Sequence, residues 1–90
     1  MIVEFDDSFL RRLSKIKDES ILRRVKKQII DLENSTNFLN IRNVKKLTGY
    51  KAYYRIRIGN YRIGFEKIDE TKIRLLTIAH RKDIYKDFPK

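Results

Sequence analysis

Apolar residues change their spacing partway along this 90-residue chain, and the change separates a helical half from a stranded one. Ile2 to Phe5 is a short apolar run that predicts a first strand. Asp6, Asp7 and Ser8 follow with side-chain oxygens suited to capping a helix. In that helix Phe9, Leu10, Leu13 and Ile16 recur at helical spacing as one apolar stripe. Lys17 and Asp18 break it. A second helix is predicted over residues 19–33, with Ile21, Leu22, Val25, Ile29 and Leu32 buried. Arg23, Arg24, Lys26 and Lys27 then lie mostly outside, and Ile30 falls off the stripe and is expected to be exposed. The short connection predicts that the two helices pack as an antiparallel hairpin.

Residues 34–43 read as a loop of Asn, Ser and Thr anchored by Phe38, Leu39 and Ile41. After Val44-Lys45-Lys46-Leu47 and a turn at Gly49 the period switches to two. Residues 52–58, 61–68 and 72–79 then predict successive strands joined by Gly59-Asn60, a strong hairpin signal, and by Asp69-Glu70-Thr71. Ile84, Tyr85 and Phe88 recur at helical spacing near the end. The expected fold is a single α+β domain over residues 1–90: an N-terminal strand, a helical hairpin, a three-stranded antiparallel meander and a short C-terminal helix or packed tail, with the helices on one face of the sheet.

A two-residue turn at Gly59-Asn60 fixes a register. Ile58 faces Tyr61, Arg57 faces Arg62, Ile56 faces Ile63, Arg55 faces Gly64 and Tyr54 faces Phe65. Side chains alternate across a sheet, so Tyr54, Ile56, Ile58, Tyr61, Ile63 and Phe65 share the core face, and Arg55, Arg57 and Arg62 share the other. Like charges directly opposite destabilise a strand pair. A bound phosphate relieves that conflict, because guanidinium forks suit phosphate oxygens; the alternative is arginines splayed into water or met by acids elsewhere. Glu66 shares this face but lies opposite Tyr53, far from the Arg57/Arg62 pair. Gly64 opposite Arg55 is expected to leave a hollow that admits a ligand backbone, although a bulge or simple tolerance explains one glycine equally well.

Charge strengthens the reading. Lys and Arg total 22 against 12 Asp and Glu, a net +10 that favours polyanions. The chain has no cysteine, so thiolate metal sites and disulfides are excluded. No stretch has the length of a membrane span, and the N-terminus is too acidic for a signal peptide, so an intracellular, cytoplasmic protein is expected. The one histidine, His80, stands beside Arg81 at the end of the last strand, with Lys82 and Tyr85 following. Histidine and tyrosine can move protons and arginine stabilises a charged phosphate, although a lone histidine is more often structural and Tyr85 serves equally as a core residue of the tail. With no metal cluster, no cofactor motif and no phosphate-binding glycine loop, catalysis here points to metal-independent work on a phosphodiester.

The turn KLTGY, the hairpin YYRIRIGNYRIGFE and the ending HRKDIYKDFP, together with length and element order, resemble the RelE-type toxins of the RelE/ParE toxin–antitoxin superfamily. The resemblance implies a fold similar to small microbial ribonucleases, and cleavage of mRNA in the ribosomal A site by attack of a 2′-hydroxyl on its own phosphate. It also implies a cognate antitoxin as partner. On the family's motif positions, Arg55, Arg57 and Arg62 bind and stabilise the phosphate, Arg81 serves the leaving group, and Tyr85 positions a base. Lys51 and Lys82 add phosphate contacts. Some members carry lysine at the positions of Arg55 and Arg57, and arginine does not serve as a base; the base is left to His80, Glu66 or Tyr85, or to no strong base. Two other readings share the scaffold or the charge: a ParE-like inhibitor of DNA gyrase, and a non-catalytic basic protein that binds RNA or the ribosome.

Overall fold

In a computed structural model, residues 1–89 are described, with the backbone alone at Asp87. Strand β1 is Ile2–Phe5, and helix α1, Asp7–Leu13, starts where the Asp6 carboxylate accepts from the Ser8 N–H at 3.1 Å. Helix α2 is Glu19–Glu33. Asp18 belongs to it as its cap, accepting from the N–H groups of Ser20 and Ile21 at 2.9 and 3.3 Å. These bonds satisfy donors that the first helical turn leaves without partners. Ile30 is 45% exposed, as its place off the apolar stripe predicts.

Strands β2 (Val44–Lys46), β3 (Tyr53–Ile58), β4 (Tyr61–Asp69) and β5 (Lys72–His80) complete a five-stranded sheet in the order β1-β5-β4-β3-β2. The meander is there, and β1 joins it in parallel beside β5 while β2 extends the far edge. The β3–β4 register is the one the turn dictates, from Ile58 opposite Tyr61 to Tyr53 opposite Glu66. Gly59 takes φ +57°, which fits a turn whose first central residue must be left-handed. A last helix, α3, spans Ile84–Asp87.

Both helices serve the same sheet face, where Phe9, Ile21, Val25 and Leu32 join Ile56, Ile63, Phe65, Ile73 and Leu75 in one core. Burying each such side chain contributes roughly 1.5–3 kcal/mol. Phe38, in a short 3₁₀ turn within the predicted loop, caps the core edge-on to Tyr54 and Phe65 at ring distances of 4.8 and 5.3 Å. The helices pack on the sheet more than on one another. Helix α1 runs beside β5, and Ser8 donates its hydroxyl to the Leu76 carbonyl where β1 has stopped pairing. Helix α2 lies over β1 and β3. Gln28 is buried on its inner side, a polar residue within an apolar stripe; its amide oxygen accepts from Asn43 at 2.8 Å, and its Nε2 has no hydrogen-bond partner among the described residues.

Candidate functional site

The second face of the sheet carries Lys45, Arg55, Arg57 and Arg62, since Lys45 pairs with Arg55 and Arg57 with Arg62 across neighbouring strands. Lys45 was not legible as a site residue: a three-residue strand is too short to show a period. Among the described residues, none of Arg55, Arg57, Arg62 and Arg81 forms an ion pair. Among the described residues, then, no acid meets these arginines.

Arg62 sits at the centre of the group. Its Nη1 donates to the carbonyls of Gly59 and Tyr61, both at 2.9 Å, which pins the guanidinium against the hairpin turn. Burial, then the positive charges of Arg55, Arg57 and Arg81, hold its pKa below the ordinary arginine value, and Tyr85 acts in the opposite direction. These neighbours come from β3, from the turn after β5 and from α3, so the fold gathers residues that the sequence spreads over 31 positions, from Arg55 to Tyr85. Arginine stays protonated, so the crowding is met by solvent or by a bound anion and not by loss of a proton.

A cleft of about 500 Å³ opens beside this group. Lys45, Lys46, Tyr50, Arg55, Tyr85 and Phe88 are among its lining residues. Tyr85 is 56% exposed, whereas Ile84 and Phe88 are 1% and 3% exposed, so two buried anchors present the tyrosine outward. Tyr85 is therefore not a core residue of the tail.

The hollow expected at Gly64 does not exist. A Cβ built on Gly64 would stand 2.7 Å from the Phe88 ring, which fills that space and packs edge-on to Tyr53 at 5.6 Å. Glycine is needed there to seat the tail, not to admit a ligand.

His80 is not brought to the arginines. It pairs with Tyr61 on the core face, ring to ring at 5.8 Å, and its Nδ1 accepts from the Lys82 N–H at 3.2 Å. A bulge in β5 explains this. Phe65 faces Leu75 but Gly64 faces Thr77, so Leu76 is the extra residue and every later side chain changes face. Arg81 is exposed in the turn that follows, its N–H held by the Asn60 carbonyl at 2.7 Å. Lys82 is exposed in the same turn, and Lys51 is exposed in the bend before β3, outside the residues lining the cleft. Glu66 lies beyond Phe88, beside Tyr53. Among the described residues no three His, Asp or Glu side chains gather as metal ligands would, and no helix is long and apolar enough to cross a membrane.

The family described as ParE toxin of type II toxin-antitoxin system, parDE, matches residues 3–85. Toxin RelE3 of Methanocaldococcus jannaschii is 40% identical over 90 residues, covering 99% of this chain and 100% of that protein. The fold matches the RelB-RelE antitoxin-toxin complex from Methanococcus jannaschii with a TM-score of 0.79 at 40% identity, over 96% of this chain and 99% of that one. It also matches the archaeal RelE-RelB complex from Pyrococcus horikoshii with a TM-score of 0.70 at 23% identity, over 89% and 93% of the two chains, a likeness of fold. With a family match over nearly the whole length and a full-length relative at this identity, the chain belongs to the ParE/RelE toxin family of type II toxin–antitoxin systems and is a toxin of the RelE type.

Proposed function

We propose that this toxin is a ribosome-dependent endoribonuclease that cuts mRNA in the ribosomal A site, which places its work in the cytoplasm. The observation that carries the reading is the set of four arginines, Arg55, Arg57, Arg62 and Arg81, without acidic partners among the described residues and grouped beside Tyr85. Such a group stabilises the extra negative charge of a phosphate under attack. The 2′-oxygen of the nucleotide loses its proton and bonds to the adjacent phosphorus. The bond to the 5′-oxygen of the next nucleotide breaks, leaving a cyclic phosphate and a 5′-hydroxyl. Arg55, Arg57 and Arg62 hold the phosphate, Lys51 and Lys82 meet neighbouring ones, and Arg81 neutralises the departing oxygen. Tyr85 offers a ring for a base and a hydroxyl that gives its proton to the departing 5′-oxygen, while water takes up the proton of the 2′-hydroxyl and returns one to the tyrosine. His80, on the other face, is left a structural part in the turn, and no step needs a metal or cofactor.

The natural partner is a cognate antitoxin, as in the RelB-RelE complexes of the relatives; an acidic segment of it laid over the arginines would neutralise them. The match to a family described by its ParE members supports a second reading, inhibition of DNA gyrase on the same scaffold.

Cell-free translation with added protein, with the 5′ ends of the mRNA mapped, separates them. Wild type should create ends only when ribosomes are present. Arg81→Ala and Tyr85→Phe should lose them, and His80→Gln should keep them. Intact mRNA with wild type overturns the nuclease reading, and a supercoiling assay then tests the gyrase one.

A further inference from the structure

We propose that Tyr50, carried by the turn before β3, is a second base-stacking platform, so that the arginine cleft takes two successive nucleotides of an RNA strand. The proposal rests on the nuclease reading above for the nature of that strand, and it assigns a residue that the reaction itself does not use. The turn KLTGY is built to fix this ring. The Tyr50 N–H donates to the Leu47 carbonyl at 3.4 Å, and Gly49 between them takes φ +85°. Such a turn needs a left-handed third residue, which glycine adopts without steric cost. A Cβ on Gly49 would meet nothing within 4 Å, so the glycine serves the backbone path and not a close contact. At the base of the loop the Leu47 N–H donates to the Tyr53 carbonyl at 2.9 Å and closes it.

A single exposed aromatic on a surface is ordinary, but Tyr50 is both exposed, at 46%, and fastened. It meets the Tyr53 ring at 5.7 Å and 62°, and Tyr53 meets the buried Phe88 ring at 5.6 Å and 75°. Phe88 is also an anchor that turns Tyr85 outward, so one buried ring supports both tyrosines. A side chain held by its neighbours loses less freedom when a ligand settles on it. Tyr50 lines the same cleft as Lys45, Lys46, Arg55 and Tyr85, and no Asp or Glu among the described residues lines it.

A nucleic-acid strand alternates charged phosphates with flat rings, and a wall that mixes cations with exposed aromatic rings complements it. One nucleotide step has a phosphate between two bases. The cleft offers Arg55 with two rings from different elements, the turn before β3 and α3. An acidic protein segment would be drawn to the same cations, but it brings no ring with each charge. Every base has a π-face, so stacking tolerates sequence, and any preference follows stacking strength, purines ahead of pyrimidines.

The chain has no tryptophan, so Tyr50→Trp places a lone indole at the platform. A short purine RNA added at low salt should quench its emission, while polarisation of the labelled RNA reports binding. In Leu39→Trp, at a position 59% exposed and outside the cleft lining, the same RNA should bind without quenching. Tyr50→Leu should weaken the purine strand about tenfold, the value of one stacked base, and Tyr50→Phe should recover nearly all of that loss. Against an abasic strand of the same length, Tyr50→Leu should lose no affinity. Binding without quenching in Tyr50→Trp overturns the proposal, as does equal quenching by the abasic strand or by polyglutamate, or no binding of RNA at low salt. In the translation assay at limiting protein, Tyr50→Leu should lower the yield of ends about tenfold without moving them. An unchanged yield removes the platform and leaves the nuclease standing. If wild type gives no ends, the nuclease reading falls and the quenching alone decides the platform.

Discussion

Gly64 and Phe88 show how much one missing carbon can decide. The ring occupies the position of the absent Cβ, and through Phe88 the short helix α3 is fastened to the arginine face with Tyr85 turned outward. Gly64→Ala should cost about 1–3 kcal/mol by overpacking, and Phe88→Ala about 3 kcal/mol by leaving the site empty. The double variant should cost little more than Phe88→Ala alone, since the added methyl then has room. Urea unfolding of the four proteins measures this, and strict additivity of the two single costs sinks the idea. The same residues mark a limit of sequence reading. That Arg55 faces Gly64 follows from the turn, but what covers Gly64 comes from a position 24 residues later in the chain.

Among the elements, β1 depends on one carboxylate. Glu4 receives the Arg74 guanidinium at 2.8 and 3.2 Å and lies 3.4 Å from Lys72 across the parallel pair. The hydrogen bond from Arg74 chiefly, with Lys72 assisting, holds the Glu4 carboxyl below the ordinary glutamate value. A carboxylate depressed by folding contributes stability that is fully present above its unfolded pKa and lost as pH falls through its folded one. Exchange of the Ile2 and Asp6 amides, bonded to Thr71 and Leu75 at 2.7 and 2.9 Å, should therefore quicken, relative to a core strand, below about pH 4. Glu4→Gln should remove that acid dependence from β1; the same profile in the variant and in wild type refutes the assignment. Asp18 is depressed too, first by the Ser20 hydroxyl and then by the Ile21 N–H, so the cap of α2 fails in the same acid range and the β1 amides must be followed individually.

For the molecule as a whole, the excess of +10 is not spread evenly. Towards β1 the second sheet face balances its charges, with Glu4 against Arg74 and Lys72, whereas towards β3 the arginines stand unpaired among the described residues. A single RNA strand should bind at the unpaired end and release counterions there. If four phosphates are met, the logarithm of affinity should fall against the logarithm of salt with a slope of about −3. Arg57→Ala should reduce that slope by about 0.7, read by polarisation of a labelled oligonucleotide. An undiminished slope would place Arg57 outside the contact.

Local rules were enough for much of this protein. Helix caps, apolar stripes and the Gly59-Asn60 turn set α1, α2, the meander and the arginine register, because each depends on residues within a few positions of one another. Tertiary structure decided the rest. The bulge at Leu76 changes the face of every residue after it and so carries His80 away from the arginines. The strand β2, too short to show a period, adds Lys45 beside Arg55. Phe88 closes over Gly64, and Glu66 and Thr77 come to line one cavity with Arg11 and Arg12 from the opposite end of the chain. The sequence names the groups that repel or attract; only packing between distant segments determines which of them meet.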